Sequence, residues 1–141
     1  MKTYVKVILF FVFFVAVSAI LAALYLYNLK HTDMSKARPD FVVTATGLLK
    51  EFEDNEALAS AKYINRIVEV EGIIGSINTS GDNILTISLK TENDLSSVIC
   101  TFPAVADPST FRAGDRLTLR GECSGFLMDV LLNNCAAVNA K

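Results

Sequence analysis

Three hydrophobic rhythms follow one another along the chain. From Val7 to Leu29 apolar residues run without a single charged side chain. As a helix rising about 1.5 Å per residue this stretch reaches roughly 35 Å, enough to cross a hydrocarbon core of about 30 Å. From Thr44 the spacing becomes helical. Leu48, Leu49, Phe52 and Ala59 share one face, with Lys50, Glu51, Glu53, Asp54 and Glu56 on the other. Thr44 offers an N-cap, so the pattern predicts one helix of three to four turns, weakened by Gly47.

After Arg66 the period changes to two. Ile67–Ile74 alternates with Glu69 and Glu71 outward, which directs Val68, Val70 and Ile74 to a core, and Gly72 suits a bend or bulge. A turn over 78–83 leads into 84–89, where Leu85, Ile87 and Leu89 point inward. Val98–Phe102 is a third strand, ended by Pro103, and Pro108–Arg112 a single helical turn. Arg116–Cys123 buries Leu117 and Leu119; the fifth strand, from Asp129 to Val138, buries Val130 and Leu132. A bulge at Asn133–Asn134 returns Cys135 to their side. Five short strands, one bent by glycine, with a small helical turn between the third and fourth, predict a mainly β five-stranded Greek-key barrel of the OB type. A leading α-helix precedes it, and one N-terminal transmembrane helix precedes both.

The expected organisation is a cytoplasmic N-terminus at 1–6, a transmembrane signal-anchor at 7–29, a tether at 30–41 and the OB domain at 42–141. Tyr4, Tyr25 and Tyr27 lie where amphipathic rings favour the membrane interface. The competing reading is a secretory signal cleaved near Ala19, which would leave a strongly apolar new terminus. No cysteine follows the run as a lipidation site. The compact cluster of Lys2, Lys6 and the terminal amine favours the amino terminus inside, with the barrel periplasmic or extracellular.

Composition excludes more than it assigns. With 52% apolar residues in 141 the chain is not disordered, and it is too short for a large multi-site enzyme. From Asp40 onward eight basic side chains face fourteen acidic ones, a net charge of −6. Such a domain repels a polyanion unless its cations gather on one face. Arg116 and Arg120 could do so, but Glu69, Glu71 and Glu122 are expected beside them. Phe41, Phe52, Tyr63, Phe102, Phe111 and Phe126 read as packing rather than as a stacking platform.

Enzymatic readings are weaker. Gly121–Gly125 imitates a nucleophile elbow around Cys123 without the helix that motif requires, and the only histidine, His31, abuts the anchor. The three cysteines lack metal-knuckle spacing, and the acidic helix face lacks the glycine of a calcium loop. Asn78–Ser80 matches a glycosylation sequon, relevant only in a eukaryotic secretory pathway. No enzyme activity, metal or cofactor is expected.

Leu48, Leu49 and Phe52, Ala61–Tyr63, Val70–Gly72, Gly114–Asp115, Gly121–Gly125, Asp129–Leu132 and Cys135 together resemble the tRNA-anticodon-like OB family over roughly residues 42 to 138. The resemblance implies one OB barrel behind an N-terminal anchor or signal, outside the cytoplasm; it implies no catalytic residue. It also favours a Cys123–Cys135 disulfide, which a bulge at Asn133–Asn134 would make possible. A Cys100–Cys135 bridge is the alternative, since the third and fifth strands adjoin in such a barrel, and three buried thiols remain the plain reading. Two functions fit: a membrane-tethered module binding a protein, peptide or glycan, and a structural or assembly subunit of a membrane complex. Nucleic acid is the least favoured partner.

Overall fold

The computed structural model describes residues 2–28, 33–81, 84–103 and 107–138. It divides into two units, residues 1–32 and 33–141, each considered by itself.

In the first unit, helix α1 spans Lys2–Asn28. It starts earlier than the uncharged run because Lys2 and Lys6 are good helix formers; the limits of the apolar stretch are not the limits of the helix. Thr3–Tyr27 is long and apolar enough to cross a membrane, and none of it is buried within the protein. Phe10 is 71% exposed and Phe13 67%. A helix that is apolar all round, with no polar stripe, has no soluble face to offer water. Tyr4, Tyr25 and Tyr27 lie near its ends, all exposed.

The second unit begins before the expected domain boundary. Asp33–Asp40, read from the sequence as part of a tether, is held against the folded body: Met34 is 5% exposed, and Asp40 exchanges hydrogen bonds with Ile67 through both backbone and side chain. A strand absent from the sequence reading, β1 (Phe41–Thr44), then pairs in parallel with β2 (Ile67–Thr79), Phe41 opposite Val68. Between them lie α2 (Ala45–Asp54) and α3 (Glu56–Tyr63). The single helix expected here is two, because Asn55 adopts an extended backbone and serves both. Its N–H caps Glu51 at 3.2 Å, while its side chain accepts from the Leu58 N–H at 3.1 Å. The Thr44 N-cap accepts from Gly47 at 3.1 Å.

The remaining strands are β3 (Leu85–Lys90), β4 (Val98–Thr101), β5 (Arg116–Leu127) and β6 (Asp129–Ala137), with a 3-10 turn at Pro108–Thr110. Their order β2-β3-β4-β6-β5 closes by antiparallel pairing of β5 with β2, which is the five-stranded OB barrel. β1 rides outside that ring. Val68, Val70, Ile87, Leu89, Leu119 and Leu132 are fully buried, as the two-residue alternation requires. Leu48, Leu49 and Phe52 of α2 join the same core, and Phe52 stacks on Phe126 with centroids 5.3 Å apart.

The irregularities fall partly elsewhere than expected. The bulge in β2 lies between Ile74 and Ser76, not at Gly72. Gly72 instead permits close approach, since a Cβ there would sit 3.1 Å from the Ala45 Cβ and 3.2 Å from that of Leu89. The predicted bulge in β6 is present: between Arg120 and Glu122 the register shifts against Ala136 and Asn133, and Asn134 has φ 52°. The β5–β6 connection, expected from the sequence to run through Gly125 to Met128, is tighter than that span. β5 continues through Gly125 to Leu127, and the turn is made at Met128, φ 68°. Of the turn expected over 78–83, Asn78 and Thr79 belong to β2, and residues 82 and 83 lie outside the described residues, as does His31.

Candidate binding surface

The barrel presents two unlike outer strips. On the first, β2 and β5 place Glu69 directly opposite Arg120. The Arg120 guanidinium donates to the Glu69 carboxylate through Nη2 at 2.5 Å and Nε at 3.1 Å. Its Nη1 donates to the carbonyls of Met34, Ser35 and Ala37. These side chains are only 11% and 18% exposed, so the pair is largely shielded from solvent. Arg116 pairs with Glu71 at 3.0 Å in a far more exposed setting. Both arginines considered as a phosphate-binding patch are thus occupied by carboxylates.

The second strip is uncharged except for Lys90 at the end of β3. Thr86 faces Thr101 and Ser88 faces Ile99 across β3 and β4, all half-buried and outward of the core. It carries no aromatic ring. The described aromatics of the barrel pack on one another instead: Phe41 on Tyr63 at 5.0 Å, Phe102 on Phe111 at 5.5 Å, and Phe52 between Tyr63 and Phe126. Lys62 lies over Phe41 and Tyr63 and donates to Glu51 at 2.7 Å. That hydrogen bond holds the Glu51 carboxyl below its ordinary value.

Below this strip, the loop from Thr91 to Ser97 is built rather than slack. Thr91 Oγ1 donates to the Ser96 carbonyl at 2.6 Å, and Asn93 Nδ2 donates to Glu53 of α2 at 2.8 Å. Asp129 Oδ1 accepts from Ser97 N at 2.6 Å and Ser97 Oγ at 2.8 Å, and Val130 N donates back to the Ser97 carbonyl at 3.0 Å. This lock ties the loop to the β5–β6 turn. Beside it, Leu95, Leu127 and Met128 are 83%, 79% and 68% exposed. A cleft of about 340 Å³ is lined by the charged Lys90 and Asp94 together with Ser88, Thr91, Asn93 and Leu95. A second, of about 390 Å³, runs between the start of α2 and Lys90, Glu92 and Arg116.

Cys100, Cys123 and Cys135 are all buried thiols in this structure. Cys100 and Cys123 are register partners of Leu132 from its two sides. The bulge turns Cys135 over Gly121, where an added Cβ would meet its Sγ at 2.5 Å. It lies against Cys100, and that contact together with burial pushes the Cys100 thiol well up; burial also raises Cys123. Among the described residues no three His, Cys, Asp or Glu side chains gather to hold a metal.

The Arg120 clamp and the Leu95–Met128 end escape a reading of the sequence. Arg120 is visible there as a partner for Glu69, but nothing in its spacing points to carbonyls more than eighty positions upstream. Leu127 and Met128 look like turn residues, and only the tighter turn exposes them.

These features define a class: a small OB-fold protein with an apolar N-terminal helix. A family model described as tRNA_anti-like matches residues 1–137. The chain belongs to the tRNA_anti-like family. Among solved structures it is similar to a Klebsiella pneumoniae subsp. pneumoniae protein described provisionally as a nucleic acid-binding lipoprotein, at 22% identity and TM-score 0.58, covering 69% of this chain and 91% of that one. It is also similar to part of a Leishmania major protein described provisionally as an aspartyl-tRNA synthetase, at 9% identity and TM-score 0.45, covering 77% of this chain and 22% of that one. The first likeness shows the fold, and the second is too distant to carry an argument. No curated protein matches the chain.

Proposed function

We propose that this protein is a non-enzymatic binding module, anchored by α1 with its amino terminus cytoplasmic and its barrel outside the cytoplasm, that docks a protein or peptide at the Leu95–Met128 end. The observation that carries this reading is the trio of large apolar side chains, 68% to 83% exposed, presented beside a loop and turn that Asp129 locks together. Exposed apolar groups on a fixed framework, rimmed by hydroxyl and amide groups and by Lys90 and Asp94, have the make-up of a protein contact site. A glycan would ask for an exposed aromatic face, and the described rings of the barrel are spent on packing.

A nucleic-acid reading has one point in its favour, the description of the Klebsiella structure. Against it stand the net charge of −6 from Asp40 onward and the pairing of Arg116 and Arg120 with carboxylates. The discriminating experiment places a photocrosslinking amino acid at Leu127 or, as a control, at Arg112 in the full chain in native membranes. A discrete protein adduct specific to Leu127, lost when Leu95 is replaced by aspartate, supports the reading. A nuclease-sensitive adduct at Leu127 would replace it with the nucleic-acid one. Mass spectrometry of the membrane-extracted chain tests the anchor, which a mature terminus near Ile20 would refute.

A further inference from the structure

We propose that Cys100 and Cys135 form a built redox pair, closing to a disulfide between β4 and β6 while Cys123 stays a thiol. The placement follows from three features of the strands. β4 and β6 are adjacent and parallel, with Cys100 opposite Leu132, so their backbones run about 4.8 Å apart. In a regular strand Cys135, three positions beyond Leu132, would be out of reach of Cys100. The left-handed residue Asn134 folds the chain back, and Cys135 Sγ comes to lie 3.4 Å from the Leu132 carbonyl. That carbonyl belongs to the very residue Cys100 faces. The same bulge leaves Gly121 beneath Cys135 on the β5 side, where there is no side chain to join. Cys123 sits two residues further along β5, opposite Leu132, on the far side of β6 from Cys100.

Access is one-sided. Cys100 is completely buried and Cys135 only 2% exposed, but Cys135 alone of the two borders a pocket of about 290 Å³, with Phe102, Thr110 and Phe111. Cys135 is therefore the entry sulfur, reached when the barrel opens locally on that side. Its thiolate attacks one sulfur of an oxidant of the disulfide class, such as an oxidised dithiol protein or glutathione disulfide, forming a mixed disulfide and releasing one thiolate. The Cys100 thiolate then attacks Cys135 Sγ and expels the second. Two S–H bonds are lost and one S–S bond is formed; two electrons and two protons pass to the oxidant, which leaves as two thiols. The Cys100 thiol is held protonated by its contact with Cys135 and by burial, so its closing attack in the folded barrel is slow at neutral pH and quickens as pH rises.

The pairing is a property of the barrel; only its occupancy in the cell rests on the extracytoplasmic placement proposed above. The full chain is purified in detergent under reducing conditions, incubated with glutathione disulfide, denatured, alkylated, digested and mapped by mass spectrometry. The expected product is two hydrogens lighter, with Cys100 and Cys135 peptides joined and Cys123 alkylated. Cys123→Ala gives the same bridge, and Cys100→Ala gives only a glutathione adduct or a free thiol at Cys135. A Cys123–Cys135 bridge, or three alkylated thiols after oxidation that goes to completion in the denatured chain, overturns the proposal. Protein acid-quenched from cells separates the two readings: a bridged chain supports both, and a reduced one that still bridges in vitro refutes the extracytoplasmic placement while the pair stands.

Discussion

The two outer strips of the barrel use the same pleated geometry for opposite ends. On β2 and β5 the outward positions carry Glu69, Glu71, Arg116, Arg120 and the exposed Glu122, and the first four charges are consumed by one another and by the Met34, Ser35 and Ala37 carbonyls. On β3 and β4 the outward positions carry Thr86, Ser88, Ile99 and Thr101, with a single charge, Lys90, at the end of β3. The charged strip is therefore inward-looking despite its polarity. Arg120 stabilises the chain's own entry into the barrel, and the sparsely charged strip and the apolar end below it are left facing solvent. Charge counted along a sequence is a poor guide to where a partner binds until the partners of each charge are known.

Beneath both strips lies the plug of α2, which sets the scale for every other change. Phe52 is 1% exposed and stacks on Phe126. Phe52→Ala should cost about 3–4 kcal/mol in urea unfolding of residues 33–141, as for other buried aromatics. A loss under about 0.5 kcal/mol would mean that the helix is not docked.

The strips themselves part company at their arginines. Arg120→Ala strands Glu69 at 18% exposure and leaves three carbonyls without their donor. It should cost about 3 kcal/mol, because removing one partner of a shielded pair leaves the other charge uncompensated. It should also open the peptide bonds of residues 33–40 to proteolysis well before the barrel unfolds. Arg116→Ala, in a pair whose side chains are 75% and 47% exposed, should change stability by no more than about 0.5 kcal/mol. Equal effects of the two substitutions would erase the distinction drawn between the pairs.

What can be read beforehand follows the range of the interaction. The inward faces of β2 to β6, the Thr44 cap and the Asn133–Asn134 bulge are written in residues a few positions apart, and the family-level OB fold follows from them. The break at Asn55 is harder to read, because asparagine is tolerated inside a helix and only its double capping role ends one there. β1 escapes for a physical reason: four residues with two exposed and two half-buried have too little alternation to announce a strand. The exposed end is illegible because it depends on which residue makes the β5–β6 turn. Gly125 has the turn chemistry, but Met128 makes the turn, since the extra residue at Ser124 keeps β5 in register with β6 as far as Leu127.

That end gives the next largest effect. Asp129→Ala removes two acceptor contacts with Ser97 and should cost about 1–2 kcal/mol, near the value of a charge-assisted hydrogen bond. Its sharper signature is local. Amide exchange should accelerate over 93–97 and 127–130 while Val68 and Val70 stay protected. Acceleration throughout the barrel would mean that Asp129 supports the core and not this end alone.

The smallest effect belongs to a third kind of ion pair, which joins the two capping helices and touches neither strip. The Glu51 carboxyl is lowered from its ordinary value of 4.5, chiefly by the hydrogen bond from Lys62. A carboxyl depressed on folding contributes stability that is present above its unfolded value and is lost as the pH falls through its folded one. Lys62 is raised from 10.5, chiefly by the same bond, so its part is present below 10.5 and lost on the alkaline side. Tyr63 titrates in that alkaline range too, its phenol pushed up by burial, which leaves the acid limb as the clean one. The difference between wild type and Glu51→Gln in unfolding free energy should therefore be flat from neutral pH down to the ordinary carboxylate value and shrink below it. With both side chains more than two-fifths exposed, solvent and salt screen the pair, and the difference should collapse in about molar salt. A difference that persists at low pH or in high salt would show that Glu51 acts through the packing of α2 on α3 rather than through its charge.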